Sequence, residues 1–542
     1  MKIPFTALIY LLSISSYSQN DPIFTWAKGI PAEASLTVGG VSSALDDSGN
    51  IYTVGTFVDT VDFDPGIGIY ELTSTGTYAA FIQKMDSNGA FVWAKEIGGS
   101  LYCYGNFIDV DSAGNVYVAG YFNGNVDFDP SPDTSYTLNP AGSNNNNKDG
   151  FVLKLDNNGD FVWARNIGGT GTYDEVKSLV VDSDGNVVIT GNFGLTVDFD
   201  FGTNVHNITS NGNRDIFVQK LDSNGDFLWA KGMGGTSIDI GLSVALDDAG
   251  NIYVTGYFKE TVDFDPGVGI DDHISNGSYD IFIQKLNEEG DYIWSKTFGG
   301  NSIDVGCCIA IDETGGNIYA TGYFKETVDF DPGIGSINLT SAGDYDIFVL
   351  KMDSSGNFIW ANSLGGTSND VGKAVDLDCS GNIYVSGYFK ETVDFDPGSG
   401  IDNHTSNGYE DIFVQKIDSS GNFIWAKSMG GNWNADQGRS INIDHNNYIY
   451  VTGVLNSVAD FDPSCNTYNL TGDIVFVAKW GQNSINLLTD GNDDGCVNVG
   501  DLLSLLLEFG QCTTELLYDG NNDGCVDLQD FLQLLLEYGQ CE

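Results

Sequence analysis

An oxygen-rich motif occurs twice near the end of the sequence, beginning at Asp490 and at Asp519. In each copy, loop positions 1, 3, 5, 9 and 12 carry oxygen-bearing side chains, position 6 is Gly, and position 7 offers its backbone carbonyl. Carboxylates this close together repel each other until a cation lies between them. The sequence therefore predicts two bound Ca²⁺ ions, held by Asp490, Asn492, Asp494, Cys496, Asn498 and Asp501 and by Asp519, Asn521, Asp523, Cys525, Asp527 and Asp530.

A second set of paired carboxylates recurs through the rest of the sequence as Asp-Phe-Asp. With a spacing of two, both carboxylates share one face of an extended segment and the Phe points the other way. One interpretation is that these oxygens hold Ca²⁺, or bridge through it to a carbohydrate or a protein. The other is ordinary turn chemistry, in which each carboxylate accepts hydrogen bonds from nearby backbone amides. The pairs are Asp62/Asp64, Asp127/Asp129, Asp198/Asp200, Asp263/Asp265, Asp329/Asp331, Asp394/Asp396 and Asp460/Asp462.

No residue set in the sequence predicts catalysis. Paired carboxylates serve glycosidases, but nothing distinguishes one Asp-Phe-Asp copy from the others. The histidines are equally uninformative: His273 and His404 align with Leu339 of another copy, His206 lies in the same segment, and His445 lies in a turn. We interpret the first three as variation at a packing position.

These motifs belong to a repeat that fills the sequence from about residue 24 to residue 480. Its tryptophan recurs from Trp26 to Trp425 about every 66 residues, a unit too small to bury its own core. Each copy has four apolar runs with the two-residue period of strands, here named a to d. Four antiparallel strands per unit, repeated radially, predict a β-propeller. In one copy the strands are Leu242–Leu246, Ile252–Phe258, Asp280–Leu286 and Tyr292–Lys296.

The order of the strands predicts seven blades in a closed ring. The first d strand, residues 24–28, precedes any a strand, and the last c strand, residues 475–479, has no d strand after it. The N-terminal strand is therefore expected to complete the seventh blade, which removes the exposed sheet edges. In such a ring the b–c and d–a connections share one face. Five acids in the d–a connections are thus expected beside the Asp-Phe-Asp pairs, so that both sets line one acidic mouth: Asp174, Asp239, Asp304, Asp370 and Asp436.

The excess of acidic over basic side chains limits the kinds of partner that the chain can bind. With 75 acidic and 22 basic side chains, the net charge is −53, which disfavours nucleic acid and anionic membranes as partners. Most basic residues lie at two fixed repeat positions, one in strand c and one after the strand-d tryptophan. The remaining surface is therefore expected to be almost purely acidic.

Residues 1–18 have the form of a secretory signal, with Lys2, an apolar core and small residues before Gln19. No later run reaches the roughly 18 apolar residues that span a bilayer. We therefore expect a secreted or cell-surface protein, with a propeller over residues 19–480 and a second domain over residues 481–542. Four cysteines in that second domain predict two disulfides whose pairing stays open: Cys496, Cys512, Cys525 and Cys541.

The repeat, quoted as DxxGNIYVTGYF followed by DIFVQKLDSNGNFxWAK, resembles the bacterial propeller repeat known as SBBP. That family consists mainly of exported or surface proteins without an assigned reaction. Each calcium motif runs into a predicted helix, over residues 502–509 and 531–538, that ends at Gly510 and Gly539. This part, residues 487–542, resembles a dockerin module. The resemblance implies calcium-dependent folding and docking to a cohesin-like partner, although Val499-Gly500 and Leu528-Gln529 replace the usual hydroxyl residues.

The expected fold class is an all-β, seven-bladed propeller with a small α-helical, EF-hand-like domain. The expected function is non-enzymatic: an exported propeller that binds a glycan or a protein or assembles at a surface, with a calcium-dependent docking tail. Two alternatives stay open. One is a carbohydrate-active enzyme or an accessory subunit of a polysaccharide-degrading complex, and the other is a purely structural envelope or matrix protein.

Overall fold

The computed structural model describes residues 21–31, 41–141, 147–171, 173–312, 315–432, 434–464 and 467–482. The chain divides into two compact units. One consists of residues 26–461 and 467–479 and contains nearly everything described below. The other consists of residues 1–25, 462–466 and 480–542, of which only the short stretches 21–25, 462–464 and 480–482 are described.

Seven antiparallel sheets form the blades, and each runs in the order a, b, c, d from the centre outward. The a strands are Ser42–Leu45, Tyr102–Val110, Glu175–Val181, Ile240–Leu246, Val305–Ile311, Val371–Leu377 and Gln437–Ile443. The b strands are Ile51–Phe57, Val116–Asn123, Val187–Phe193, Ile252–Phe258, Asn317–Asp329, Ile383–Phe389 and Ile449–Asp460. The c strands are Ala79–Met85, Asp149–Leu155, Asp215–Leu221, Asp280–Leu286, Asn338–Asp353, Asp411–Ile417 and Asn469–Gln482. The d strands are Phe91–Gly99, Phe161–Ile167, Phe227–Met233, Tyr292–Phe298, Phe358–Leu364, Phe423–Met429 and Pro22–Pro31.

The b–c connection of each blade is itself a small hairpin. In five blades it forms a separate pair: Thr60–Asp62 with Glu71–Thr73, Val126–Asp127 with Thr137–Leu138, Thr196–Asp198 with Asn207–Thr209, Thr261–Asp263 with Asp272–Ile274, and Thr392–Asp394 with Asn403–Thr405. In the fifth and seventh blades it is continuous with the long b and c strands.

The predicted closure of the ring is confirmed. The seventh sheet has the order Pro22–Pro31, Asn469–Gln482, Ile449–Asp460, Gln437–Ile443, so the first strand of the chain is the outer strand of the last blade. The joint to the first blade is made by Trp26 Nε1 and Lys479 Nζ, which donate to the carbonyl oxygen of Ser87 at 3.3 and 3.0 Å. Closure thus joins the last blade to the first through these two side chains.

The same joint connects neighbouring blades around the ring and explains the repeated strand-c lysine. Trp163 Nε1 and Lys154 Nζ both donate to the carbonyl oxygen of Ser223 in the next blade, at 3.1 and 3.2 Å. Lys154 is buried, and its Nζ also lies 4.8 Å from the ring centroid of Tyr117. Buried cations are costly unless they are bonded, so a strand-c lysine that bonds to the next blade helps to fix the register between the two. The lysines with such a bond are Lys84, Lys154, Lys220, Lys285, Lys351 and Lys479.

The expected α-helical second domain is not supported, and this part of the fold-class prediction is wrong. Every regular element in the described ranges is a strand, so the fold class is an all-β, seven-bladed propeller. The calcium motifs and their cysteines fall in residues 483–542, outside the described residues. Within the described ranges, no helix is long and apolar enough to cross a membrane.

Candidate functional site

The Asp-Phe-Asp carboxylates accept hydrogen bonds from the backbone of their own hairpin. Asp263 Oδ1 accepts from the amides of Asp265 at 3.0 Å and Asp271 at 2.8 Å, and Asp265 Oδ1 accepts from Gly267 at 2.8 Å. Phe264, which has no exposed surface, lies opposite and packs on Phe282 at 5.0 Å. In this blade the pair therefore shows the predicted turn chemistry.

The other six pairs repeat this turn geometry. The second carboxylate of each pair accepts from the amide two residues further on: Asp64 from Gly66, Asp129 from Ser131, Asp200 from Gly202, Asp331 from Gly333, Asp396 from Gly398 and Asp462 from Ser464, at 2.8, 3.0, 2.8, 2.8, 2.7 and 2.9 Å. The first carboxylate accepts from the returning arm of the hairpin: Asp62 from Tyr70, Asp127 from Tyr136, Asp198 from His206, Asp329 from Ile337, Asp394 from Asp402 and Asp460 from Tyr468.

That these pairs together form a shared acidic mouth stays a prediction. Each pair shapes its own hairpin, and the described residues contain no group of three His, Cys, Asp or Glu side chains that could hold a metal. Asp64, Asp129, Asp200, Asp265, Asp331, Asp396 and Asp462 are thus engaged one by one at separate turns. The physical reason is local, since an amide two residues away is always within reach of an Asp before a turn. Ion binding by individual pairs stays a prediction.

The five d–a acids lie on the same face as these hairpins, as expected. Asp239, which is fully buried, accepts from the amide of Gly235 at 2.8 Å with Oδ2 and from that of Lys259 at 2.9 Å with Oδ1. It thereby ties the d–a connection to the end of strand b. Burial is the main cause that raises the pKa of Asp239 to about 7.

Sequence reasoning missed a second set of buried acids at the start of strand c. Asp215 Oδ2 accepts from the Asn211 amide at 2.8 Å, whereas its Oδ1 is buried and has no hydrogen-bond partner among the described residues. Burial raises the pKa of Asp215 to about 6, and Asp215 in turn raises that of Asp239. The equivalent residues are Asp149, Asp280, Asp346 and Asp411.

All eight basic residues of the propeller outside the two repeat positions lie on this same face, among tyrosines. We call this group the basic mouth. Lys148, Arg214, Lys259, Lys325, Lys373 and Lys390 lie over Tyr121, Tyr173, Tyr279, Tyr345, Tyr388 and Tyr409, at 4.4, 3.8, 5.7, 5.6, 5.8 and 4.0 Å from the ring centroids. The other two are Lys177, which lies 6.0 Å from the ring centroid of Tyr121, and Arg439.

One side of the basic mouth gathers three cations around a single carboxylate. Glu175 Oε1 lies 3.4 Å from Lys148 Nζ, and Glu175 Oε2 lies 2.5 Å from Lys177 Nζ. Burial works to raise the pKa of Glu175, but Lys177, Lys148 and Arg214 outweigh it, and the pKa is lowered. Arg214 Nε is buried without a hydrogen-bond partner among the described residues. Three basic groups are therefore concentrated at this point, beside Glu175 and the buried carboxyls of Asp174 and Asp149.

The opposite side, in the sixth and seventh blades, repeats this composition. Gln437 Nε2 donates to Glu410 Oε2 at 2.5 Å, and Arg439 Nη2 donates to the side-chain oxygen of Gln437. Burial is the main cause that lowers the pKa of Arg439, and its Nε is buried without a partner among the described residues. Lys373 and Lys390 lie on the same side, over the rings of Tyr388 and Tyr409.

A cavity of about 530 Å³ lies inside the ring of a strands, and three of the eight cations line it, whereas no Asp-Phe-Asp carboxylate does. Lys177, Lys373 and Arg439 are each the extra residue of a β-bulge, where the pairing of strand a with strand b shifts by one. A bulge changes the direction of a side chain, and here it places basic groups in the cavity. We call this cavity the throat. The residues at the same place in the other blades carry no charge: Val41, Asn106, Leu242 and Cys307.

Two carboxylates, Asp109 and Asp376, also line the cavity, but they bond to strand amides. Asp109 Oδ2 accepts from Val181 at 2.9 Å, and Asp376 Oδ2 accepts from Ile443 at 2.7 Å, each in the next blade. Burial raises the pKa of both groups to about 6. They therefore join neighbouring a strands.

Ser–His–Asp groups lie in two blades. In the sixth, His404 Nδ1 lies 2.8 Å from Ser428 Oγ and His404 Nε2 lies 3.2 Å from Asp402 Oδ2. The other is in the fourth blade. Ser295 Oγ lies 2.9 Å from His273 Nε2, and Asp271 Oδ2 lies 3.1 Å from that same nitrogen. The other ring nitrogen, Nδ1, contacts Thr297 Oγ1 at 3.0 Å. In a catalytic triad the carboxylate and the serine contact opposite ring nitrogens, whereas Asp271 and Ser295 share Nε2 of His273. His273 also packs on Phe264, with ring centroids 5.7 Å apart.

The closed ring of seven four-stranded blades defines the class: the chain is a β-propeller repeat protein. The family model described as "Beta-propeller repeat" (SBBP) matches residues 92–126. Among known proteins, the uncharacterized WD repeat-containing protein L264 of Acanthamoeba polyphaga mimivirus is 24% identical over 498 residues, covering 77% of this chain and 35% of that protein. Regulatory protein FlaEY of Caulobacter vibrioides is 25% identical over 221 residues, covering 40% of this chain and 22% of that protein.

The chain thus spans about a third or less of the length of these relatives. Among solved structures, the WD40 β-propeller domain of Doa1 aligns with 85% of this chain and 97% of that domain, at 11% identity and a TM-score of 0.38. A protein of unknown function from Bacteroides caccae aligns with 64% of this chain and 89% of its own, at 10% identity and a TM-score of 0.30.

Proposed function

We propose that this chain is a non-catalytic, exported binding propeller that takes its ligand at the basic mouth. The observation that carries the proposal is the position of Lys177, Lys373 and Arg439, which line the cavity with no acid at the equivalent place in any blade. In a chain with 75 acidic and 22 basic side chains, such a concentration of basic groups marks a site distinct from the rest of the surface. The propeller fold itself supports a binding or scaffold role.

The absence of catalysis in this proposal rests on the chemistry of the candidate groups. The Asp-Phe-Asp carboxylates are engaged by backbone amides, and Ser295 shares one histidine nitrogen with Asp271. Release of reducing sugar from a polysaccharide, abolished by Ser295→Ala or by Asp263→Asn, would overturn this part of the proposal. Ligand binding without turnover is the expected result.

The C-terminal calcium motifs supply the proposed attachment. Their loop oxygens suit Ca²⁺, and a bound ion would remove the repulsion between the carboxylates. We propose that the calcium-loaded segment holds the propeller to a surface protein of the cohesin kind. This gives the chain two separate roles, ligand capture by the blades and attachment by the tail.

Calorimetric titration of the EDTA-stripped full chain with CaCl₂ tests the calcium assignment. We expect two strong equivalents that disappear in the double variant Asp494→Asn/Asp523→Asn and persist in the matched variant Asp263→Asn/Asp265→Asn. Loss of calcium binding in the second variant alone would place the ions at the propeller instead. Pull-down of a cohesin-bearing protein with and without EDTA then tests the docking step.

A further inference from the structure

Taking the proposed binding at the basic mouth as its premise, we infer that the ligand is an acidic carbohydrate, a chain of sugars bearing carboxylate or sulfate groups. The inference rests on two features that occur together. One is a concentration of basic groups on two opposite sides of the basic mouth, and the other is a set of tyrosine rings beside them. An anionic sugar has a charged substituent that suits the cations and a ring that suits the tyrosines.

The cations supply charge recognition. Glu175 is shared by Lys148 and Lys177, and Glu410 accepts from Gln437, so neither Arg214 nor Arg439 forms an ion pair with a carboxylate among the described residues. Arg214 Nε and Arg439 Nε are both buried without a partner among the described residues, and one lies on each side. Arginine forms paired hydrogen bonds with carboxylate and sulfate oxygens, so these two residues are suited to grip an anionic substituent.

The tyrosines supply flat faces and hydroxyl groups for the sugar ring. Tyr173 is 41% exposed and has Arg214 3.8 Å from its ring centroid, while Tyr409 is 54% exposed and has Lys390 at 4.0 Å. Each side of the mouth therefore carries an open aromatic ring with a cation against it. A tyrosine ring can pack against the C–H face of a sugar, and its hydroxyl group can bond to the sugar hydroxyls at the edge.

Charge over the whole molecule argues against other anions. At physiological ionic strength the Debye length is about 8 Å, so a ligand inside the throat responds to the nearby cations rather than to the net charge of −53. The net charge of −53 disfavours extended polyanionic partners such as a duplex nucleic acid or an anionic membrane. The cavity of about 530 Å³ has the volume of a typical small-ligand site, so it suits a short stretch of a chain.

Binding of defined oligosaccharides to the full-length chain tests the inference. The probes are an oligogalacturonate, its methyl-esterified form, a sulfated oligosaccharide and an oligoglutamate of matched charge. The acidic sugars are expected to bind, and the esterified form to bind about tenfold more weakly or worse because its charge is removed. Equal binding of the esterified form would overturn charge recognition, and stronger binding of oligoglutamate would overturn the carbohydrate assignment.

Variants locate the site. In Lys177→Gln/Lys373→Gln/Arg439→Gln, affinity for the acidic sugar is expected to fall about tenfold or more, and Tyr173→Ala/Tyr409→Ala is expected to weaken it too. The matched control is Lys95→Gln/Lys231→Gln, which removes two lysines of exposed ion pairs, with Asp160 and Asp291, and is expected to bind normally. Circular dichroism shows that each variant is folded.

The outcomes separate this inference from its premise. If no acidic sugar binds, the carbohydrate inference is overturned, whatever else occupies the mouth. If the sugar binds equally well to the triple cation variant and to the control, the mouth itself is not the site, and the proposed function fails with it.

Discussion

At the scale of single residues, the Gly-Gly pair after strand d is dictated by the neighbouring blade. A β-carbon on Gly235 would lie 2.1 Å from the carbonyl oxygen of Thr261 in the next blade, and one on Gly300 would lie 2.5 Å from that of Thr327. The sequence shows that these glycines recur. It cannot show the reason, because the contact joins segments whose proximity depends on the closed ring.

Replacing such a glycine should loosen the joint between two blades. We expect Gly235→Ala to lower the free energy of unfolding by about 1–3 kcal/mol, because backbone atoms must move to admit the methyl group. Urea unfolding followed by tryptophan fluorescence measures this. The matched control is Gly267→Ala, where the nearest atom is the Asp265 carboxylate oxygen at 3.0 Å, a side chain that can shift. Equal destabilisation by both changes would contradict the explanation.

At the scale of the elements, the two-residue period located most strands closely. For the fourth blade, predicted strands b and c coincide with Ile252–Phe258 and Asp280–Leu286, and strands a and d were predicted two residues too short. The strand-b glycine suggested a bulge, and one lies opposite Gly256, but the extra residue in strand a was not located, because it leaves no mark on a short apolar run. For the same reason the basic lining of the throat was not predicted, since its basic side chains belong to the bulged residues.

The closing strand is the element on which the ring depends. Trp26 and Trp294 make the same contact with the following blade, donating to Ser87 and Ser354 at 3.3 Å each. Trp294 lies in a strand joined to its sheet by a short turn, whereas the strand of Trp26 is far from its sheet in sequence. Detaching the strand of Trp26 therefore exposes the edge of strand c in the last blade and opens the ring.

We therefore expect Trp26→Ala to have a wider effect than Trp294→Ala. In Trp26→Ala, hydrogen exchange should accelerate across Gln437–Ile443, Ile449–Asp460 and the first blade, because both sides of the opened joint lose protection. In Trp294→Ala the acceleration should stay close to Tyr292–Phe298. Identical exchange patterns in the two variants would show that closure adds nothing to the stability of the first and last blades.

At the scale of the whole molecule, the basic residues are partitioned between two tasks. The basic residues at the two repeat positions connect blades or form ion pairs with surface aspartates. The others form the basic mouth. Composition alone led us to expect an almost purely acidic surface, and the basic mouth departs from that expectation. The eight basic residues of the propeller outside the two repeat positions were visible in the sequence, but only the ring brings them to one face.

The buried aspartates on this face give the whole propeller a distinctive pH dependence. Burial raises the pKa of Asp174, Asp239, Asp280 and Asp370 to about 7, and that of Asp149, Asp215, Asp304, Asp346 and Asp411 to about 6. Each carboxyl therefore binds its proton more tightly in the folded chain than in the unfolded chain, where the pKa is about 3.9. The stabilisation is complete below about pH 4 and is lost as the pH rises through 6 to 7.

We accordingly expect the free energy of unfolding to be larger near pH 5 than near pH 8, measured by urea unfolding at both values. In about 1 M NaCl the Debye length is about 3 Å, so repulsion among the acidic surface groups is screened and the buried groups dominate the difference. Asp215→Asn removes one titrating group from a position where one oxygen has no partner among the described residues. The stability of this variant should change less between the two pH values than that of the wild type. A wild-type protein that is more stable near pH 8 would mean that these carboxylates are held ionised in the fold, with a bound cation as the first explanation to test.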